Sequence, residues 1–127
     1  MANGVLFVSP HIQDADNLSQ ILSSLPVRLD HVSDLEGARN QLESKRYPVI
    51  LTDAELPDGG WGDVLNLARR ISPFSQVLVT NKFADARMWA DVLSQGAYDM
   101  LVQPFTQGEV LRILVNALGR PLTAVAA

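Results

Sequence analysis

Val49-Ile50-Leu51-Thr52-Asp53 is the stretch that decides the fold of this 127-residue chain. Three aliphatic residues and a β-branched threonine in a row predict a short strand that is buried on both faces. The strand ends in a carboxylate, and a loop with Pro57 and Gly59-Gly60 follows it. In open parallel sheets, functional groups gather where the strands end and the loops leave a crevice. Asp53 is therefore a candidate site residue, although a strand-end Asp is also common in turns.

Strands and amphipathic helices alternate along the rest of the chain. Apolar or alternating segments predict further strands at residues 5–8, 27–32, 77–80 and 98–102. Helical spacing of apolar residues predicts helices near residues 14–25, 35–42, 64–71, 84–95 and 107–118. Strict alternation implies a parallel sheet covered by helices on both faces. The residues of the second strand, 27–32, alternate enough for a position at or near a sheet edge.

Local signals predict where several helices begin and end. Ser33 with Glu36, and Thr106 with Glu109, have the spacing of a capping box. Gly96 follows the fourth helix and is its expected C-terminal cap.

Composition narrows the class of protein. The chain is 47% hydrophobic and 19% charged, contains no Cys, and carries a net charge of −4. These values fit a globular domain without disulfides, and they argue against a nucleic-acid surface, which needs clustered Lys and Arg. No signal peptide and no bilayer-length apolar run is visible. We therefore predict one cytoplasmic domain over residues 1–120 that binds neither nucleic acid nor membrane, followed by a frayed tail at 121–127.

The sequence lacks the motifs of the common binding and catalytic sites of α/β proteins. The turn after the first strand, residues 9–13, has no glycine, so it fits neither a dinucleotide site nor a P-loop. No Ser stands in a G-x-S-x-G elbow. His11 and His31 lack metal-ligand spacing, and His31 is expected to be a surface or strand-end residue.

The groups left at the strand ends are Ser9-Pro10-His11, Asp53, Thr80 and Gln103-Pro104-Phe105. In this order, over residues 4–118, the chain resembles the receiver domain of bacterial two-component response regulators. The motifs that carry the resemblance are Asp53-x-x-x-Pro57, Thr80 at the end of the fourth strand, and Gly96-Ala97-Tyr98-Asp99 before Gln103-Pro104-Phe105. The resemblance implies a flavodoxin-like, doubly wound α/β fold, a five-stranded parallel sheet in the order 2-1-3-4-5 with five helices.

The resemblance also implies a function. In the family, the Asp that matches Asp53 accepts a phosphoryl group from a histidine kinase, and the residue that matches Thr80 binds and senses the phosphate. Two acidic residues after the first strand help to hold Mg²⁺, and a Lys in the last strand's loop pairs with the phosphate. We therefore expect a signal-receiving domain without enzymatic activity, whose partner is a sensor histidine kinase or a phosphotransfer protein.

This sequence departs from the family at most of the groups that neutralise charge. Ser9-Pro10 stands where the family has its acidic pair, Gln103 replaces the Lys, and Met100 replaces an aromatic switch residue. Asp53 and the backbone carbonyl near Glu55 are then the metal ligands that the sequence offers, and both are weak candidates for Mg²⁺. Because phosphoryl transfer gathers negative charge, we expect a depleted site that is phosphorylated slowly or not at all.

Three further side chains line the expected site or its surroundings. Glu55 and Lys82 stand two positions after Asp53 and Thr80, so they face each other in the receiver fold and are candidates for an ion pair. Lys82 is also a candidate for the charge that Gln103 lacks; two solvated loop charges are the simpler alternative. His11 is the histidine nearest the crevice.

Two alternatives to the phosphorelay function remain. One is a pseudo-receiver that binds a protein partner, or a second copy, through its fourth helix, fifth strand and fifth helix without phosphorylation. The other is a small enzyme or ligand binder. We expect no output domain after residue 118 and therefore expect output through a partner or a dimer. We expect Trp89 in the core. The sequence does not decide whether Trp61 lies in a mobile loop or packs on the core.

Overall fold

Five parallel strands form the central sheet of the protein. The computed structural model describes residues 4–83, 85–119 and 122. The strands are β1 (Gly4–Val8), β2 (Arg28–Val32), β3 (Val49–Asp53), β6 (Gln76–Asn81) and β7 (Asp99–Val102), in the order β2-β1-β3-β6-β7. Two short strands, β4 (Glu55–Leu56) and β5 (Gly59–Gly60), pair antiparallel after β3. Without that pair, the order of the five main strands is the predicted 2-1-3-4-5.

Five helices cover the two faces of the sheet: α1 (Ile12–Leu22), α2 (Leu35–Ser44), α3 (Trp61–Ile71), α4 (Ala86–Ser94) and α5 (Gln107–Leu118). Because side chains alternate along a strand, Val5 and Phe7 pack with α1 and α5, whereas Leu6 and Val8 pack with α2 and α3. The doubly wound α/β fold is confirmed. No helix in the described part of the chain has the length and apolar character to cross a bilayer.

The register of the sheet brings the candidate residues to one edge. β3 lies in the middle, with β1 on one side and β6 on the other. Val8 pairs with Thr52, and Asp53 pairs with Thr80. Since parallel strands end on the same side, the residues after β1, β3, β6 and β7 meet there. The strand β2 lies at an edge of the sheet, as its mixed pattern predicts.

Two helix caps differ from the sequence predictions. Asp34, rather than Ser33, is the N-cap of α2, and its side chain accepts the N–H of Gly37 at 2.8 Å. Thr106 is the N-cap of α5, but its side chain makes no capping hydrogen bond within the described residues. Gly96 follows α4 with a φ of 103°, and its N–H donates to Leu93 O, which confirms it as the end of that helix.

One of the two tryptophans differs from the sequence prediction, and the structure decides the position of the other. The prediction that Trp89 belongs to the core is wrong, because its side chain is 50% exposed. Met88 and Val92, four residues apart, form the inward side of α4 and leave Trp89 toward solvent. Trp61, at the start of α3, is partly buried and packs on the core.

The ends of two predicted elements lie outside the described residues. Ala84, the predicted start of the fourth helix, is one; the helix is described from Ala86 with Asp85 as its N-cap. Most of the predicted tail, residues 121–127, also lies outside the described residues. Leu122 is described, and it is buried in the core that contains α1 and α5.

Candidate functional site

Asp53 lies at the end of β3 in a polar pocket and is 6% exposed. Ser9, which directly follows β1, donates its hydroxyl to Asp53 Oδ2 at 2.7 Å. The same Ser9 oxygen accepts the N–H of His11 at 3.1 Å. Burial raises the pKa of Asp53 above its ordinary value, and the hydrogen bond from Ser9 opposes that shift. Ser9 therefore acts as a hydrogen-bond donor to Asp53.

His31 holds Ser9 in place, which the sequence did not indicate. Ser9 O accepts a hydrogen bond from His31 Nε2 at 2.8 Å, and Ser9 N donates to Val32 O at 2.9 Å. The His31 ring also packs against Phe7, with ring centroids 5.9 Å apart. His31, predicted to be a surface or strand-end residue, is the fourth of the five residues of β2 and is partly buried. Its contact with Ser9 arises only because β2 lies beside β1.

Thr80 is fully buried beside Asp53, to which it is paired in the sheet. Its Oγ1 has no hydrogen-bond partner among the described residues. The neighbouring buried threonine, Thr52, differs, since its hydroxyl donates to Asp53 O at 3.0 Å. A buried hydroxyl without a partner is costly, and it is therefore a group that a bound ligand could satisfy.

Lys82 contacts Asp14, not Glu55. Lys82 Nζ lies 3.9 Å from Asp14 Oδ1. The Glu55–Lys82 ion pair, one of the two alternatives considered for these residues, is absent from the described part of the chain, and Glu55 is exposed. Asp14 is 6% exposed, and a buried carboxylate needs a nearby cation more than an exposed one does. Lys82 nevertheless lines the same cleft as Asp53. Its charge lowers the pKa of Asp53, in opposition to burial.

Asp14 is the residue that the sequence analysis missed. It lies in the first turn of α1, and the sequence analysis did not place it among the site residues. Its Oδ2 is buried without a hydrogen-bond partner in the described ranges. The signal was an acidic residue in the first turn of the helix that follows β1. Its negative charge contributes to the raised pKa of Asp53.

These groups border one cleft of about 330 Å³. Six of the eight predicted site residues line it: His11, Asp53, Glu55, Thr80, Lys82 and Gln103. Ser9 reaches it through its bond to Asp53, whereas Pro10 is not among the lining residues. The lining also contains four residues that were not predicted: Asp14, Ala54, Asn81 and Phe83.

His11 and Gln103 both line the cleft but differ in exposure to solvent. His11 Nε2 lies 3.9 Å from Asp53 Oδ2, and the His11 side chain is 60% exposed. Gln103 is buried and precedes a cis peptide bond to Pro104, and its N–H donates to Asn81 O at 3.2 Å. Gln103 therefore offers a neutral amide where a Lys would offer charge.

Asp58 fixes the loop between β4 and β5. Its two carboxylate oxygens accept the N–H groups of Leu35 and Glu36 at 2.8 and 3.1 Å. These hydrogen bonds, at the start of α2, lower the pKa of Asp58. The loop between β4 and β5 is thereby tied to a neighbouring helix.

Mg²⁺ prefers octahedral coordination by oxygen ligands, so its binding in the cleft depends on the oxygen atoms that are free to coordinate it there. Asp14 and Asp53 are the two buried carboxylates, and both already contact protein groups, Lys82 and Ser9 respectively. No group of three or more His, Asp or Glu side chains is arranged around a metal position in the part of the chain that the structure describes.

Comparison with known proteins identifies the relatives of this chain. The family described as "Response regulator receiver domain" matches residues 5–115. The probable transcriptional regulatory protein SilR of Salmonella typhimurium is 26% identical over 122 residues, which are 95% of this chain and 53% of SilR. The chain spans about half or less of the length of the curated relatives it matches.

Two solved structures are similar over almost the whole chain. The beryllofluoride-activated NtrC4 receiver domain dimer is 26% identical, with a TM-score of 0.85 over 92% of this chain and 97% of that one. The receiver domain of the sensor histidine kinase PA1611 from Pseudomonas aeruginosa is 25% identical, with a TM-score of 0.81 over 94% and 99%. That PA1611 domain has a magnesium ion coordinated in its active site cleft.

Proposed function

This chain belongs to the family of response regulator receiver domains, and we propose that it receives the signal of a two-component phosphorelay through Asp53 at a depleted site. The observation that carries the proposal is the pairing of Asp53 with Thr80, whose hydroxyl has no hydrogen-bond partner in the described residues. A phosphoryl group on Asp53 would supply an oxygen that accepts the hydrogen bond of that hydroxyl. Thr80 is accordingly the phosphate-sensing residue of the proposal.

The proposed reaction is phosphoryl transfer to a carboxylate. A carboxylate oxygen of Asp53 forms a bond to phosphorus while the bond from phosphorus to the donor's leaving group breaks. The negative charge that gathers there needs positive groups nearby. In this chain they are Lys82 and, when protonated, His11, while Ser9 and Gln103 contribute only hydrogen bonds.

The proposed consequence is slow transfer. Removing one group that stabilises a transition state electrostatically costs roughly 10²–10³ in rate. Ser9-Pro10 and Gln103 replace three charged groups of the family, and Asp14 is already paired with Lys82. We therefore expect Mg²⁺ to assist this site weakly. Phosphorylation would then be slower by several orders of magnitude than at a site with the complete set.

Intact-mass spectrometry tests the proposal. The protein is incubated with acetyl phosphate and Mg²⁺, beside Asp53→Asn and an ordinary receiver as a positive control. The expected result is slow addition of one phosphoryl group to the wild type and none to Asp53→Asn. Absence of the adduct over long incubation, under conditions that fully label the control, would refute Asp53 as a phosphoacceptor.

A phosphorylation-independent module is the second candidate, and one surface favours it. Trp89, Leu93, Tyr98 and Val102, which lie on α4, on β7 and just before it, are exposed apolar or aromatic residues. Tryptophan is a frequent anchor of protein interfaces. We propose this face, with α5 beside it, as the contact for a protein partner or a second copy. Binding that persists in Asp53→Ala would favour this candidate, and loss of binding would favour the phosphorelay.

The remaining functional statements stay predictions. They are a histidine kinase or phosphotransfer protein as the partner, a cytoplasmic location, the absence of enzymatic activity, and the absence of nucleic-acid and membrane binding.

A further inference from the structure

The imidazole ring of His11 lies beside the carboxylate of Asp53 and is free to react. Its Nε2 atom is 3.9 Å from Asp53 Oδ2, and both side chains line the cleft. The ring makes no hydrogen bond within the described residues. The chain's other histidine, His31, differs, because its Nε2 is engaged with Ser9 O at 2.8 Å. In a neutral imidazole, the nitrogen without a proton carries a lone pair, so His11 brings a nucleophile to the cleft.

The backbone of His11 is fixed, whereas its ring is accessible. Ser9 Oγ accepts the N–H of His11 at 3.1 Å and donates to Asp53 Oδ2 at 2.7 Å, so one hydroxyl ties the two residues together. His11 O accepts the N–H groups of Asp14 and Ala15 in the first turn of α1. The His11 side chain is 60% exposed, and exposed side chains change rotamer rapidly. The ring can therefore turn toward a group bound to Asp53 without movement of the main chain.

We propose that His11 is a second phosphoacceptor, which takes the phosphoryl group from Asp53 within the same chain. This role rests on the proposed function, because Asp53 must be phosphorylated first. It adds a modification site, a phosphohistidine on an exposed side chain, to the buried position of Asp53.

The step is an in-line displacement at phosphorus. The lone pair of His11 Nε2 forms the new P–N bond, while the P–O bond to Asp53 breaks and its electron pair restores the carboxylate. The ring proton stays on Nδ1, so the product is a phosphorylated imidazolium and no further reactant is needed. In-line transfer places phosphorus between the attacking and leaving atoms, and the 3.9 Å from Nε2 to Oδ2 exceeds a hydrogen bond of about 2.7–3.2 Å. That spacing suits a phosphorus atom between the two groups.

Charge and burial favour transfer away from Asp53. Asp14 and Asp53 both line the cleft and are each 6% exposed. A phosphoryl group on Asp53 adds negative charge close to Asp14, in a cleft where like charges repel more strongly than in water. On His11 the same group gains contact with water and with the positive charge of the phosphorylated ring. It also lies at the N-cap of α1, where the helix dipole favours an anion.

The chemistry of the two adducts and the positions of the cleavage sites allow a direct test. The protein is incubated with acetyl phosphate and Mg²⁺, the donor is removed, and samples are followed by intact-mass spectrometry with and without a brief treatment with alkali. An acyl phosphate is lost in alkali, whereas a phosphohistidine survives it. Tryptic cleavage after Lys and Arg then places His11 on residues 1–28, His31 on residues 29–39 and Asp53 on residues 47–69.

After the donor is removed, we expect the alkali-labile adduct to fall while an alkali-stable adduct grows on residues 1–28. We expect His11→Gln to form the alkali-labile adduct and to lose the alkali-stable one completely. Asp53→Asn should form neither adduct. His31→Gln is the matched control and should keep both, because it replaces the other histidine and leaves the His11 ring and the Asp53 carboxylate in place.

Three results would overturn the role of His11: an acyl phosphate on Asp53 that hydrolyses without any alkali-stable adduct, an alkali-stable adduct that persists in His11→Gln, or one that forms in Asp53→Asn. The first of these leaves the proposed function standing, because Asp53 still accepts the phosphoryl group. Absence of every adduct, under conditions that fully label an ordinary receiver, would instead refute the proposed function and the transfer with it.

Discussion

Thr80→Val is expected to stabilise the fold. Thr80 and valine have nearly the same shape, so the substitution exchanges a hydroxyl for a methyl group with little change in packing. The Thr80 hydroxyl is fully buried and lacks a hydrogen-bond partner in the described chain. A buried polar group without a partner costs about 1–3 kcal/mol, and removing it returns that free energy. We expect the free energy of unfolding to rise by about 1–2 kcal/mol.

Thr52→Val is the matched control. Thr52 is also fully buried, one strand away in β3, but its hydroxyl donates to Asp53 O at 3.0 Å. The same substitution there removes a hydrogen bond, and we expect a loss of about 1 kcal/mol. The two variants therefore differ in sign because of one hydrogen bond, while burial and side-chain chemistry are held constant.

Urea unfolding followed by circular dichroism measures both variants. A change in stability moves the midpoint and leaves the slope unchanged. A rise of 1 kcal/mol corresponds to an increase in Tm of roughly 2–8 °C for domains near this size. Destabilisation of Thr80→Val by as much as Thr52→Val would refute the reasoning, because it would mean that the Thr80 hydroxyl is hydrogen-bonded in solution.

Two further substitutions test the site and one helix end. Burial raises the pKa of Asp53, so its stabilising contribution is present below the unfolded pKa, near 4, and is lost as the pH rises through the higher folded value. Asp53→Asn should therefore become more stable relative to the wild type as the pH rises from below 4 towards 7; urea titrations that show a pH-independent difference would contradict this. Gly96→Ala should lose about 1–2 kcal/mol, because its φ of 103° disfavours a side chain and a Cβ atom would meet the Arg69 guanidinium. Gly108→Ala, where a Cβ meets open space, should be neutral or stabilising, and equal melting curves for the two alanine variants would count against the strain.

Patterns that are local in the chain predicted the elements of the fold. The apolar runs of β1, β3 and β6 require burial on both faces, and that requirement alone implies helices on both sides of a parallel sheet. Asp53, Thr80 and Gln103 were found in the same way, because each stands at or next to the end of a strand and parallel strands end at one edge. The N-cap of α2 could not be predicted from local sequence alone, because Ser33 and Asp34 are adjacent and both are good N-cap residues.

Contacts between distant segments decided the chemistry of the cleft. Whether Asp14 faces the cleft depends on the rotation of α1 against the sheet, which the core packing of that helix sets. The choice of Asp14 over Glu55 by Lys82 depends on which carboxylate is buried, and the support of Ser9 by His31 depends on β2 lying beside β1. Periodicity, strand ends and missing family residues are properties of the sequence by itself. The partner of each charge was decided by the tertiary structure, because burial and distance between segments set the strength of every polar interaction in the cleft.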